Sequence, residues 1–276
     1  MGPRGPRAAG GRMASGLSRD PWSLLTEAQR ESSRAVIARE SERRRHVVVA
    51  LSGAHSYGFP SPDSDVDLKA IHVAPTAQLV GLRPAAPPAD RIEVLDGVEM
   101  DYTSNELGGV LAGIVKGNGN YLERVLGGHG LVGSAWLDAL QPLAQRALSR
   151  RAHRHYRGFA AGQRREFDAT PTAKKLLYVL RTALTGAHLL RTGALVLDVN
   201  ALLDEHGLGA ARALVEAKRA GERAALPESE RARWLTEVDR AVARLDEAHE
   251  ASALPDDPPN EDELDAWLIE VRRAMF

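Results

Sequence analysis

Two aspartates near residue 66 have the types and spacing needed for metal-dependent chemistry. Asp65 and Asp67 flank Val66 at the start of a short stretch that is mostly apolar. Side chains alternate across a β-strand, so both carboxylates project from the same face. Paired carboxylates suit Mg²⁺, which takes few protein ligands and completes its shell with water and phosphate oxygens. The pair therefore predicts a divalent-cation site that serves a phosphate-bearing substrate.

The segment before the aspartates predicts a strand and a phosphate-binding turn. Val47–Leu51 is an apolar, β-branched run and is typical of a short buried strand. A turn of small residues follows, in which Gly53 allows close approach of a ligand while Ser52 and Ser56 supply hydroxyl groups. Backbone N–H groups in such a turn bind anions. We predict that Ser52, Gly53 and Ser56 contact a nucleotide triphosphate.

A third carboxylate is predicted on a β-hairpin further along the chain. Apolar and charged residues alternate over residues 91–102 on either side of a turn at Asp96, which is typical of a β-hairpin. In the second arm, Glu99 and Asp101 share one face. The spacing Thr103–Glu106 resembles a capping box, which predicts that a helix starts directly after the strand. Asp101 would then lie at the strand's end and complete the site. Glu99 is its rival on the same face.

One predicted helix could supply the rest of a nucleotide site. Within residues 171–192, polar side chains recur at helical intervals at Lys174, Tyr178 and Arg181. A basic and aromatic stripe beside a carboxylate site could bind a triphosphate and stack a base. The alternative is an ordinary solvated helix face. A second basic run, Arg150–Arg157, could likewise meet RNA phosphate or be a solvated face.

Composition narrows the class of protein. The 276 residues include no cysteine, which excludes disulfides and thiolate metal sites. The formal net charge of −1 gives no global positive field that would attract nucleic acid. The sequence contains no run of about 18 apolar residues, which a membrane-spanning helix would need. We expect a cytoplasmic protein that does not enter a membrane.

The pattern of elements predicts an α+β fold. Residues 1–20 read as a disordered tail, 21–130 as a catalytic domain with a small mixed sheet flanked by helices, and 131–276 as an all-α domain that contributes to nucleotide or acceptor binding. An amphipathic helix is expected from Ser23 to Arg45. Asn260 is expected to cap the final helix. Beyond residue 133 the predicted helices cover 134–150, 151–168, 171–192, 198–223, 227–252 and 261–275.

The central motif resembles the signature of the nucleotidyltransferase superfamily of DNA polymerase beta type. Gly53-Ala54 is followed, after ten residues, by the sequence Asp-Val-Asp-Leu at 65–68. The resemblance is closer to a bacterial subgroup, the RNA-repair-pathway nucleotidyltransferases, and covers roughly residues 45 to 200. It rests on Ser52–Leu68, Lys116–Glu123 and Lys175–Gly193.

The resemblance implies a particular reaction and set of roles. Members transfer a nucleoside monophosphate from an NTP to a hydroxyl with release of pyrophosphate, using two Mg²⁺ ions, with Mn²⁺ as the alternative. Carried over by position, Asp65 and Asp67 would bind metal, and Asp101 would be the third carboxylate. The subgroup implies that the acceptor is an RNA end. One departure is Ala54, which stands where the family usually has Ser or Gly and removes one phosphate contact.

Two alternatives remain open from the residues alone. The acceptor could be a hydroxyl of a small molecule or a protein, or the chain could be a catalytically silent nucleotide-binding module. A plainer interpretation makes Asp65 and Asp67 solvent-facing acids, because isolated Asp-x-Asp spacing is common.

Overall fold

A five-stranded mixed sheet forms the first part of the molecule. The computed structural model describes residues 20–82, 89–220, 226 and 228–276, so the predicted tail lies outside the described residues except for Asp20. The strand order across the sheet is β3-β4-β2-β1-β5. The strands are β1 Arg45–Leu51, β2 Val66–Val73, β3 Ala89–Leu95, β4 Val98–Glu106 and β5 Gly130–Gly133.

Helices flank this sheet, and the regular elements described after β5 are all helical. Two short 3₁₀ segments, Pro21–Leu24 and Gly209–Ala211, accompany them. The α-helices are α1 Glu27–Ser41, α2 Gly53–Tyr57, α3 Thr76–Val80, α4 Leu107–Val115, α5 Gly119–Leu126, α6 Ala135–Arg146, α7 Ala152–Ala169, α8 Ala173–Thr192, α9 Val199–Glu205, α10 Arg212–Ala220, α11 Glu228–Glu250 and α12 Glu261–Ala274. The predicted α+β class is confirmed.

Strand pairing brings distant segments into register. β1 is almost wholly buried and runs antiparallel to β2, so that Leu51 pairs with Leu68. β2 and β4 are parallel, and Asp67 pairs directly with Asp101. β3 and β4 form the predicted hairpin, and their turn residue Asp96 has a positive φ of 49°. The pairing of β2 with β4 therefore joins two acidic positions 34 residues apart in sequence.

The helical part is organised around α8, which is buried along most of its length. α8 packs against α7, α9, α10 and α11. Most of its apolar residues form one cluster with Phe59 from the loop after α2 and with Trp234 of α11. Burial of such a face is the main source of helix stability in proteins. The cluster therefore ties the α2 turn to the helical part.

The predicted start of the helix after β4 is wrong. β4 continues through Thr103 to Glu106, and α4 begins at Leu107. Glu106 is the N-cap residue, and its side chain accepts a hydrogen bond of 2.7 Å from the Gly108 N–H. Pairing with β2 extends to this point and outweighs the local capping pattern. Asp101 therefore lies within the strand and not at its end.

Other boundaries differ where tertiary contacts outweigh local pattern. The single helix expected over 198–223 is divided into α9, a 3₁₀ turn and α10, with Gly207 at a φ of +67° between them. The short strand β5 was not predicted. Asn260 does not cap α12 with its side chain, because its amide donates instead to the Leu143 carbonyl. In the described part of the chain, no helix is long and apolar enough to cross a membrane.

Candidate active site

Acidic side chains of two parallel strands meet around one lysine. Strand alternation places Asp67 and Lys69 on one face of β2, and Asp101 lies opposite on β4. Lys69 Nζ lies 2.7 Å from Asp101 Oδ2 and 3.5 Å from Asp67 Oδ1. Asp65 comes directly before β2, on the same alternating face. The sheet thus assembles a compact group of opposite charges at one end of β2.

The electrostatic environment of Asp67 disfavours an isolated charge. Burial raises the pKa of Asp67 to about 6, an increase that Lys69 opposes and that Asp65 and Asp101 reinforce. A positive group beside this carboxylate is therefore strongly favoured. Lys69 supplies such a group from the same strand.

The glycine turn is pressed directly against Asp67. Gly53 begins α2 with a φ of +61°, and a Cβ atom placed there would lie 1.9 Å from Asp67 Oδ2. The neighbouring Ser52 donates its backbone N–H to the Asp67 carbonyl at 2.9 Å. Only glycine combines this backbone conformation with so close an approach. The predicted turn is thus the entry to a short helix, and it fixes the position of the carboxylate.

A cavity of about 220 Å³ opens beside this turn. One wall comes from the sheet side and includes Ser52, Gly53, Asp67 and Lys69. The opposite wall comes from α5, α7, α8 and the segment that follows α8. Its helical residues are Asn120, Glu123, Arg124, Phe159, Gln163, Tyr178 and Arg181, joined by Leu197.

A buried ion pair forms the helical wall of the cavity. Arg181 Nη1 lies 2.7 Å from Glu123 Oε1, and the two side chains are only 2% and 8% exposed. Tyr57 and Tyr156 donate hydroxyl hydrogen bonds to the same carboxylate, at 3.2 and 3.3 Å. The Arg181 guanidinium also lies 3.6 Å from the centre of the Tyr57 ring.

Burial and this ion pair shift the pKa values of the network. Burial alone would lower the pKa of Arg181, but Glu123 and the neighbouring tyrosines raise it above its usual value. Burial raises the pKa of Tyr57 to about 12. Arg181 is therefore a fixed cation whose charge is largely compensated inside the protein.

The structure brings some of the predicted site residues to the cavity and leaves others away from it. Asp67, Ser52, Gly53, Ser56, Tyr178 and Arg181 line it, whereas Asp65, Asp101 and Lys174 do not. Ser56 is 1% exposed, and its hydroxyl donates to the Gly53 carbonyl. Tyr178 is held edge-on against Tyr57 and Phe59.

The predicted polar stripe of α8 is largely not a solvent-facing stripe. Arg181 is buried against Glu123. Thr185, which continues the stripe one turn further along α8, is fully buried and donates to the Val196 carbonyl at 3.0 Å. The side chain of Ala54 lies in the apolar core and does not line the cavity. Polar residue type alone could not separate an internal ion pair from a ligand contact, because the partner Glu123 comes from another helix.

Sequence reasoning missed the cations that line the cavity from the sheet and from α5. Lys69 lies two residues after Asp67, so strand alternation could have identified it. Arg124 lines the cavity from α5 and donates to Asn105 Oδ1 of β4. Its location depends on how α5 packs on the sheet, which no local pattern reveals.

The basic run of α7 is compensated by acidic residues of the same chain. Arg157 and His153 both contact Asp246, with His153 Nε2 at 2.8 Å from Asp246 Oδ1. Arg150 and Arg151 contact Asp256 and Asp257. The run is a surface of ion pairs, and these four side chains already have internal partners.

The side chains of Asp65, Asp67 and Asp101 offer carboxylate oxygens, the type of ligand that divalent cations such as Mg²⁺ prefer. The Lys69 ammonium already brings positive charge to both Asp67 and Asp101. Among the described residues, no group of three or more His, Asp or Glu side chains is arranged as a ready-made metal cage. A metal here would therefore use few protein ligands together with phosphate oxygens and water, as Mg²⁺ ordinarily does.

Comparison with known proteins establishes the class. The chain is a nucleotidyltransferase of the polymerase beta type. A profile of the RNA repair pathway DNA polymerase beta family matches residues 30–270, and the chain belongs to that family.

Two individual proteins are similar to the chain. An uncharacterized protein of Methanocaldococcus jannaschii is 25% identical over 236 residues, covering 83% of this chain and 94% of the relative. The crystal structure of a nucleotidyltransferase-like protein from Exiguobacterium sibiricum 255-15 has a TM-score of 0.33 and 12% identity, over 88% of this chain and 79% of that one.

Proposed function

We propose that this nucleotidyltransferase moves a nucleoside monophosphate from an NTP to a hydroxyl group and releases pyrophosphate, with an RNA end as the acceptor. The observation that carries the proposal is the pairing of Asp67 with Asp101 around Lys69, at the edge of a cavity lined by a glycine turn. The family's description, which names an RNA repair pathway, supports RNA as the acceptor.

The proposed step exchanges one phosphorus–oxygen bond for another. The acceptor oxygen bonds to the α-phosphorus, and the bond from that phosphorus to the α,β-bridging oxygen breaks. Pyrophosphate leaves with the electron pair, and Asp101 accepts the hydroxyl proton. Asp65, Asp67 and Asp101 would hold two Mg²⁺ ions, or Mn²⁺ as the alternative. Such ions, when bound, activate the attacking hydroxyl and stabilise the charge of the leaving pyrophosphate.

The proposed nucleotide contacts follow the lining of the cavity. Ser52 and Gly53 would face the triphosphate from the sheet side. Lys69 and Arg124 line the same cavity and are the proposed phosphate-binding cations, in place of Lys174. Glu123 compensates the charge of Arg181, so Arg181 would contribute to the nucleotide site through its position beside the Tyr57 ring.

The division into a catalytic domain at 21–130 and a helical domain at 131–276 remains part of the proposal. Two observations bear on it. β5 crosses the boundary, because Gly130–Gly133 pairs with β1. The helical part lines one wall of the cavity, which supports its proposed contribution to nucleotide binding.

The test is to identify what the protein labels. The protein is incubated with each α-labelled NTP, Mg²⁺ and total RNA, and the labelled product is separated and identified. We expect one nucleotide to label RNA ends. The double variant Asp65→Ala, Asp67→Ala should abolish that labelling.

Glu99→Gln is the matched control. Glu99 lies two residues before Asp101 on β4 and is exposed, so its substitution should leave transfer unchanged. Unchanged labelling in the double aspartate variant would refute the proposed site. Label found on protein or on a small molecule would refute RNA as the acceptor.

A further inference from the structure

A stripe on α7 faces the active-site cavity and has no role in the chemistry described above. His155, Phe159 and Gln163 recur at intervals of four residues, so they share one face of the helix. Phe159 and Gln163 line the cavity. The His155 ring stacks on Phe159, with 5.5 Å between ring centres and 13° between planes. The stripe therefore presents a supported aromatic ring and an amide to the cavity.

Phe159 differs from the other aromatic side chains that line this cavity. Tyr57 is 6% exposed, with Arg181 over its ring, and Tyr178 is held in edge-to-face contacts. Phe159 is 41% exposed. One exposed phenylalanine is unremarkable on a protein surface. Its position at the active-site cavity, with the His155 ring stacked behind it, makes it a suitable platform for a flat ligand.

Gln163 supplies a second, independent observation. The side chain is 9% exposed, and its Oε1 accepts a hydrogen bond of 2.7 Å from the Thr182 hydroxyl, which is itself buried. This bond orients the amide so that Nε2 is its remaining donor. Within the described residues Nε2 has no acceptor. Gln163 lines the cavity, so an acceptor atom on a ligand bound there would pair with this donor.

We propose that this α7 stripe is the nucleobase subsite: Phe159 stacks on the base of the NTP, and Gln163 Nε2 donates to an acceptor atom on the edge of that base. His155 positions Phe159 from behind. The assignment rests on the proposed function and adds to it the residues that read the base. It also moves base stacking from Tyr178 on α8 to Phe159 on α7.

Equilibrium binding of ATP, GTP, CTP, UTP and inorganic tripolyphosphate tests the role of Phe159. Phe159→Ala should weaken binding of the preferred NTP about tenfold, the loss of one base–aromatic stack. Tripolyphosphate has no base, so its affinity should not change. Phe159→Trp should retain NTP affinity. Phe276→Ala removes another exposed aromatic ring and should change nothing.

Two outcomes would overturn the stacking role. One is unchanged NTP affinity in Phe159→Ala. The other is an equal loss of affinity for tripolyphosphate, which would mean that the variant damages the phosphate site or the fold.

Gln163 is tested by exchanging its donor for an acceptor. Gln163→Glu should shift the ranking of the four NTPs away from UTP, whose base is the one of the four without an exocyclic amino group. Gln163→Leu, which has no donor, should compress the differences among the four. Thermal unfolding verifies that both variants are folded. An unchanged ranking in both folded variants would overturn the role of Gln163.

Binding and transfer are separate readouts, so the two proposals can fail separately. Base-dependent binding that is lost in Phe159→Ala, without transfer to any acceptor, would support the subsite and refute the proposed function. Transfer to RNA without base-dependent binding would refute the subsite and support the proposed function.

Discussion

The two walls of the cavity hold their charges in different ways. On the sheet side, Asp67, Lys69 and Asp101 form a partly exposed group in which two carboxylates share one ammonium. On the helical side, Glu123 and Arg181 form a buried pair, and two tyrosine hydroxyls complete the partners of the carboxylate. The sheet side therefore has net negative charge available for a cation. On the helical side, the charge of Arg181 is already compensated by Glu123.

This difference separates chemistry from stability. An excess of carboxylate in a partly buried position costs folding free energy and is useful only when a cation or substrate is bound. The buried Glu123–Arg181 pair and its two tyrosine partners join α2, α5, α7 and α8, and such a pair costs a great deal to break. Substitutions of the sheet-side carboxylates should therefore affect activity, and substitutions of the Glu123–Arg181 pair should affect folding.

The largest expected effect is on activity, from the sheet side. Asp67→Asn and Asp101→Asn, made singly, should each lower nucleotide transfer by at least about 10³-fold, because each removes a proposed metal ligand or proton acceptor. The free energy of unfolding should stay the same or increase, since each change removes one of two crowded carboxylates. Transfer assays and urea denaturation measure the two quantities. A large loss of stability would contradict the distinction between the walls.

The next effect is on stability, from the helical side. Glu123→Gln leaves the Arg181 guanidinium buried without a counter-charge and should lower the free energy of unfolding by about 3 to 5 kcal/mol. Urea denaturation measures this change. Glu263→Gln is the control, because its partner Arg146 and Glu263 itself are both about half exposed. Exposed pairs contribute about 0 to 1 kcal/mol, so equal effects at the two positions would contradict the prediction.

A smaller effect is expected at the turn between the two walls. Gly53→Ala should cost about 1 to 3 kcal/mol of stability and also reduce transfer, because its Cβ would collide with Asp67 Oδ2. Gly97→Ala has the same left-handed requirement, with a φ of +81°, but no atom lies within 4 Å of its Cβ position. Comparing the two variants by denaturation and transfer assay isolates the collision. If both lose only stability, the contact with Asp67 has no bearing on activity.

The smallest effect concerns the opposite end of β2. His72 is buried beside Ser104, and burial together with nearby Arg44 lowers the pKa of His72 to about 4. A lowered histidine pKa means that the unfolded chain binds more protons between pH 6.5 and 4. Stability should therefore be complete above pH 6.5 and fall as the pH drops toward 4. His72→Gln should remove roughly 1 to 2 kcal/mol of that dependence. Denaturation midpoints at several pH values check this, and parallel curves for both proteins would contradict it.

Local sequence pattern was sufficient for the elements that carry the chemistry. The β-branched run before Ser52 and the alternation around Val66 depend on neighbouring residues alone, and both segments form the strands expected of them. Alternation also places Asp65 and Asp67 on one face of the chain. The hairpin around Asp96 follows from its own turn residues. These features are local, so the amino-acid sequence determines them.

Tertiary structure decided which residues meet. The register of parallel β2 and β4 opposes Asp67 to Asp101 and extends β4 through the apparent capping pattern at Thr103. The placement of Glu123 of α5 beside Arg181 of α8 turns that arginine from a predicted ligand contact into the partner of a buried carboxylate. Such pairings join residues far apart in sequence, and their free energy comes from burial and strand pairing, which a short sequence window cannot contain. The sequence by itself therefore determined the class of chemistry, and only the fold decided which charges remain available for it.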